Sequence, residues 1–149
     1  MAAKTLLIDE SEFIDFQLYG IATAYSDPAQ FIYNINLNFH TRFRRIKDLD
    51  VLYERQIAYY PIYEWEDEEH QICYHIVKNA AYILNPMEDL NNLSNLFDVV
   101  PDLIPQHTAY NYFLRICPDG SLPLRENTFL QKITRLEPTK IKTINRLVF

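Results

Sequence analysis

Residues 56–65 and 70–79, QIAYYPIYEW and HQICYHIVKN, alternate in character on either side of four consecutive acids, Glu66 to Glu69. A period of two is the mark of a strand, and two such runs with a short polar connection predict a β-hairpin. The connection has no glycine, which rules out the tight two-residue turn. Pro61 interrupts the first run. It has no N–H to give to a ladder, so it predicts an edge position or a bulge.

The rest of the chain supplies elements to cover that hairpin. FIDFQLYGIATAY, residues 13–25, alternates as a strand. Asp27 and Pro28 open a helix that runs to about Phe39, with Phe31, Ile32, Ile35 and Phe39 at helical spacing. RFRRIKDLDVL, residues 42–52, reads as a strand with a charged outer side. Residues 80–86 fit no single element, and 87–100 suggest a short helix. Ala109 to Cys117 is a strand ending in a Pro118-Asp119-Gly120 turn. Ser121 and Pro123 start a second principal helix carrying Leu122, Phe129, Leu130, Ile133 and Leu136, stopped by Pro138, and KIKTINRLVF closes the chain as a strand. The expected architecture is α+β, one domain over 1–149: a mainly antiparallel sheet with two principal helices on one face, ferredoxin-like or an elaborated relative.

Apolar residues make up 48% of the chain and charged residues 23%, the balance of an ordinary globular core rather than a disordered segment. A net charge of −6 argues against a free-standing nucleic-acid binder. No apolar run approaches the roughly 20 residues of a membrane span. The start, MAAKTLLIDESEF, is too short and acidic for a signal peptide. A cytoplasmic location follows, and there the two cysteines stay reduced.

Two glycines in 149 residues exclude a glycine-rich phosphate cradle, and no serine stands in a glycine-flanked elbow. Cys73 and His75 lie two apart on a strand, so they share a face and offer half of a zinc site, completed by His107 and Cys117 if those strands are neighbours. No CxxC or HxxxH supports it, and a thiol packed beside an imidazole is the plainer reading, so no cofactor is expected. Arg42, Arg44, Arg45 and Lys47, with Phe43 among them, form a basic strand that either binds single-stranded RNA or faces the acidic run Glu64 to Glu69. Asp48 and Asp50 are an acid pair available to a small enzyme without a recognisable motif, the third reading. Tyr59, Tyr60, Tyr63 and Tyr74 crowd the hairpin, with Tyr110 and Tyr112 on its presumed neighbour. Tyrosine suits half-wet contact surfaces, and a sheet with helices on one face leaves the other free. The leading expectation is a non-enzymatic protein that associates with itself or a protein partner through a tyrosine-rich sheet face.

Ile104-Pro105-Gln106-His107-Thr108-Ala109-Tyr110-Asn111-Tyr112 resembles the signature of a bacterial family named for its motif, IPExxxVDY. Asp15 to Ile21 and Arg45 to Asp50 are similar in register to that family, so the resemblance spans most of the chain. It implies no activity, because the family has no assigned function. Ile104, Pro105 and Tyr112 agree with the motif, while Gln106 and Asn111 replace its two acids by their amides and Tyr110 replaces its valine. An amide keeps the size and part of the hydrogen bonding of the acid but does not titrate. The substitutions therefore predict structural hydrogen bonds at a proline bend, not acid–base catalysis.

Overall fold

The computed structural model describes residues 14–53, 56–83, 101–118 and 132–149. Strand β1 (Gln17–Ala22) leads into helix α1 (Pro28–Phe39). Local chemistry sets the helix start. The Asp27 carboxylate accepts from the Ala29 N–H, and Pro28 stands in the first turn, where its missing N–H costs nothing. Phe31, Ile32 and Ile35 form the buried stripe, and His40 ends the helix in the left-handed region with φ 55°. The Asn36 amide then accepts from Phe43 N–H at 2.8 Å and donates to Phe43 carbonyl at 3.0 Å. One side chain thus imitates a ladder partner and aims the chain at the next strand.

The strand predicted over 42–52 divides into β2 (Arg44–Arg45) and β3 (Leu49–Tyr53), which belong to different sheets. The same happens at Pro61. It is neither a bulge nor an edge residue but the point where β4 (Gln56–Tyr60) of one sheet becomes β5 (Ile62–Asp67) of the other. Proline suits this switch because it has no N–H to satisfy, while its carbonyl accepts from Lys78 N–H at 2.9 Å. The predicted hairpin is present as β5 and β6 (Ile72–Lys78), from Ile62 opposite Val77 to Asp67 opposite Ile72. β7 (Tyr82–Ile83), β8 (Tyr112–Cys117) and β9 (Lys132–Leu136) follow. The larger sheet has the order β2-β5-β6-β8-β1-β9 and the smaller β3-β4-β7, and these pairings are antiparallel.

Two expectations need correction. Residues 132–136, expected in the second principal helix, pair with β1 from Lys132–Ala22 to Leu136–Leu18 as an edge strand. The expected closing strand is instead a pair of 3-10 turns, Pro138–Lys140 and Ile144–Leu147. Its buried residues, Ile141, Ile144 and Leu147, recur every three positions, which is the 3-10 period. One α-helix stands among the described residues, and none there is long and apolar enough to cross a membrane. The expected helices at 87–100 and 121–131, the segment 1–13 and the turn residues Asp119 and Gly120 lie outside the described residues.

Alternation in the central strands separates two cores rather than core from solvent. Leu18, Ile62, Val77 and Phe113 point to one side, where Ala58 and Tyr60 of the small sheet, Leu103, Ile104, Ile141, Ile144 and Leu147 complete a cluster. Tyr19, Ile21, Tyr63, Tyr74, Ile76 and Leu114 point to the other, against Phe31, Ile32 and Ile35 of α1. The larger sheet is the middle of three layers, covered by a helix on one side and by the small sheet with its flanking segments on the other.

Candidate functional site

On the side of the larger sheet away from α1, directly opposed residues form a polar row: Arg44 on β2, Glu64 on β5, His75 on β6 and Arg115 on β8. The adjacent row is Glu66, Cys73 and Cys117. His75 and Arg115 are buried, and Glu64 keeps about a fifth of its side chain exposed. Arg115 Nη1 lies 3.3 Å from His75 Nδ1. A guanidinium can only donate, so Nδ1 accepts, and the ring proton sits on Nε2, 2.8 Å from Glu64 Oε2. A neutral imidazole thus bridges a cation and an anion. Burial, and then the guanidinium, hold its pKa below the ordinary histidine value against the pull of Glu64. Arg115 lies between the rings of Phe16 and Phe149, 4.6 Å from each centroid, and its Nη2 donates to the Phe149 main-chain oxygen. Its Nε is buried with no hydrogen-bond partner.

Cys73 Sγ is 3.9 Å from both ring nitrogens of His75, and Cys117 stands directly opposite Cys73. Sulfur, imidazole and carboxylate in this order look like a nucleophile, a base and an orienting acid. The geometry does not favour that use. The base's lone pair is engaged by Arg115, and burial, reinforced by Glu64 and Glu66, pushes the Cys73 thiol up to about 11. What remains is a compact set of donor atoms, with those of Glu64, Cys73 and His75 all within 4.8 Å of one another.

Of the four metal candidates from sequence, the fold puts Cys73 and His75 in this donor set, places Cys117 opposite Cys73 on the neighbouring strand, and leaves out His107. That histidine is in the 3-10 turn Pro105–His107, near Asn79 at the far end of β6. Five residues of strand from Lys78 to Cys73 amount to roughly 17 Å. From sequence, Glu64 enters only as the first residue of the acidic run, and Arg115 is not singled out. A lone arginine inside the apolar run YFLRIC was the available signal, because a charge is rarely buried there without partners.

The motif bend is built from amides. Gln106 Oε1 accepts from Lys142 N–H at 3.1 Å, and its Nε2 donates to the Lys140 carbonyl at 3.3 Å. Asn111 Oδ1 accepts from Thr23 N–H at 2.8 Å. Ile104 and Tyr112 are fully buried, Tyr112 stacking on Phe31 at 4.2 Å, and Pro105 starts the 3-10 turn. The residue that sequence reasoning missed is Asn79, which is 2% exposed. It accepts from Ile104 N–H at 2.9 Å and donates to the carbonyls of His107 at 3.1 Å and Tyr110 at 3.0 Å.

The basic strand is exposed at Arg42, Arg44, Arg45 and Lys47. Arg45 grips Asp48 with bonds of 2.9 to 3.2 Å, and Arg44 approaches Glu64 at 3.9 Å. Arg42 and Arg44 share a cleft with Glu64, Glu66, Asp67, Glu68 and Glu69, so these two basic residues face the acidic run within the molecule. Asp48 also accepts from the Tyr82 hydroxyl, and Asp50 is an exposed residue on β3.

The tyrosines do not form one open face. Tyr60 is fully buried in the core beneath the small sheet, and Tyr63 and Tyr74, at 7% and 6% exposure, lie under α1. The reason is that α1 covers the side of the larger sheet carrying Tyr63 and Tyr74, while Tyr60 of the small sheet points into the core between the two sheets. Tyr59 differs. It lies on the outer side of the small sheet and stacks on Tyr82, with centroids 5.7 Å apart. Beside them Leu52 on β3 and Ile57 on β4 are directly opposed and expose 70% and 42% of their surface.

Comparison with family models, curated proteins and solved structures finds no match.

Proposed function

We propose that this protein acts by association, with the outer side of the three-stranded sheet as the contact surface and a second copy of the chain as its partner. The reading rests on one observation: Leu52 and Ile57, paired across β3 and β4, are both exposed, next to the Tyr59–Tyr82 stack. Aliphatic residues and aromatic rings that adjoin on one sheet surface are the composition of an interface centre. A two-fold axis would pack such a surface against itself. Sedimentation velocity on the unmodified protein and on Leu52→Glu tests this. A dimer reduced to monomer by the substitution is the expected result; a dimer that persists in Leu52→Glu sinks the assignment.

The same reading keeps the chain in the cytoplasm and with the IPExxxVDY family. Support for the latter is that Gln106 and Asn111 both use an oxygen that the family's acids would also carry. An elaborated ferredoxin-like sheet is supported by two interleaved units: β8 lies between β1 and β6, and β1 lies between β8 and β9. With each neighbouring pair antiparallel, both outer pairs run parallel, as in a split β-α-β motif.

A further inference from the structure

We infer that Cys73, Cys117, His75 and Glu64 form a site for one zinc-class cation on the polar face of the larger sheet. The inference is independent of the association surface, which lies on the other sheet.

Three elements supply the donors, and the ladder registers fix which side chains meet. Glu64 of β5 is opposite His75 of β6, Cys73 is two residues before His75 on the same side, and Cys117 of β8 is opposite Cys73. Thiolate–zinc bonds of about 2.3 Å and imidazole or carboxylate bonds of about 2.0–2.1 Å at tetrahedral angles put sulfur and nitrogen roughly 3.6 Å apart, and nitrogen and oxygen roughly 3.3 Å apart. The distances here are 3.9 Å from Cys73 Sγ to His75 Nε2 and 2.8 Å from that nitrogen to Glu64 Oε2. Shifts of about half an ångström bring these two pairs to bonding geometry, and Cys117, opposite Cys73 but outside the 4.8 Å donor group, swings in to complete the set. Two thiolates and an imidazole select a borderline-soft ion over magnesium or calcium.

Charge also balances. Two thiolates and a carboxylate around a dication leave one negative charge, and Arg115 already lies beside the site with a buried Nε that has no hydrogen-bond partner. On binding, both thiols release their protons to solvent. The imidazole proton moves from Nε2 to Nδ1, and Arg115 Nη1 withdraws from Nδ1 towards the thiolates. The metal replaces the single Nε2–H···Glu64 bond with bonds to both groups. Glu64 and the half-buried Cys73 leave a route from solvent.

Titration of the reduced full chain with Co²⁺, followed by displacement with Zn²⁺, tests the site. The expected result is one Co²⁺ per chain, with the intense visible bands of a tetrahedral ion and thiolate-to-cobalt charge transfer in the near ultraviolet. Cys73→Ser and Cys117→Ser should each weaken the charge transfer. His75→Gln should lower affinity by about tenfold or more. Cys117→Ser keeps the test valid if His75→Gln fails to fold. A second cluster, Asp67, Glu69 and His70 at the hairpin turn, provides the control. Cobalt binding without charge transfer, binding unchanged in both cysteine variants, or binding lost in His70→Gln would each overturn the proposal.

Discussion

At the scale of single residues, Asn79 and His75 hold the most. Asn79 satisfies three main-chain groups of the bend from inside the protein, and Asn79→Ala would leave one N–H and two carbonyls without those partners. Each unsatisfied buried group costs about 1–3 kcal/mol, so we expect a loss near 3 kcal/mol, read as a lower urea midpoint at unchanged slope. His75 sets a pH dependence. Its folded pKa lies below the ordinary histidine value of 6.5, so between the two values the unfolded chain binds more protons. The stability His75 contributes is complete above that value and is lost as pH falls below it. Exposed His70, raised by Asp67, acts in the opposite sense, so the variant and not the raw profile isolates His75. His75→Gln should flatten the fall in thermal midpoint between about pH 7.5 and pH 5.5; an unchanged fall would remove His75 as its cause. Neither role was visible from sequence, because Asn79 and Arg115 acquire their partners from segments 25 to 40 residues away.

The elements were legible where the signal is local. Asp27 and Pro28 mark the start of α1 because a cap acts on the next turn, and the β5–β6 hairpin follows from alternation around a polar connection. Pro61 was misread because its effect depends on two sheets that come together only in the fold. Alternation likewise says that two faces differ, not which is wet, and here both sides of β1 are buried at Leu18, Tyr19 and Ile21. Ile141, Ile144 and Leu147 carried a period of three that alternation obscured. One contact between elements is open to a direct test. Gly20 of β1 faces the Tyr110 ring from the bend, and a Cβ added there would stand 2.5 Å from the ring's Cγ. Gly20→Ala should cost about 1–3 kcal/mol through overpacking. In a Tyr110→Ala background the same change should cost much less, and equal costs in both backgrounds would break the link.

For the whole molecule, three layers decide what is available for contact. They bury Tyr60, Tyr63 and Tyr74, so substituting these tyrosines would report on folding rather than association. They leave the outer side of β3, β4 and β7 with Leu52, Ile57, Tyr59 and Tyr82. This difference moves the proposed contact surface from the large sheet to the small one. Its most direct test is native mass spectrometry of the unmodified chain over a concentration series, with Ile57→Lys alongside. We expect a dimer that grows with concentration in the unmodified protein and a monomer throughout in Ile57→Lys. A monomer at every concentration in the unmodified protein, or an equal dimer in the variant, would contradict it.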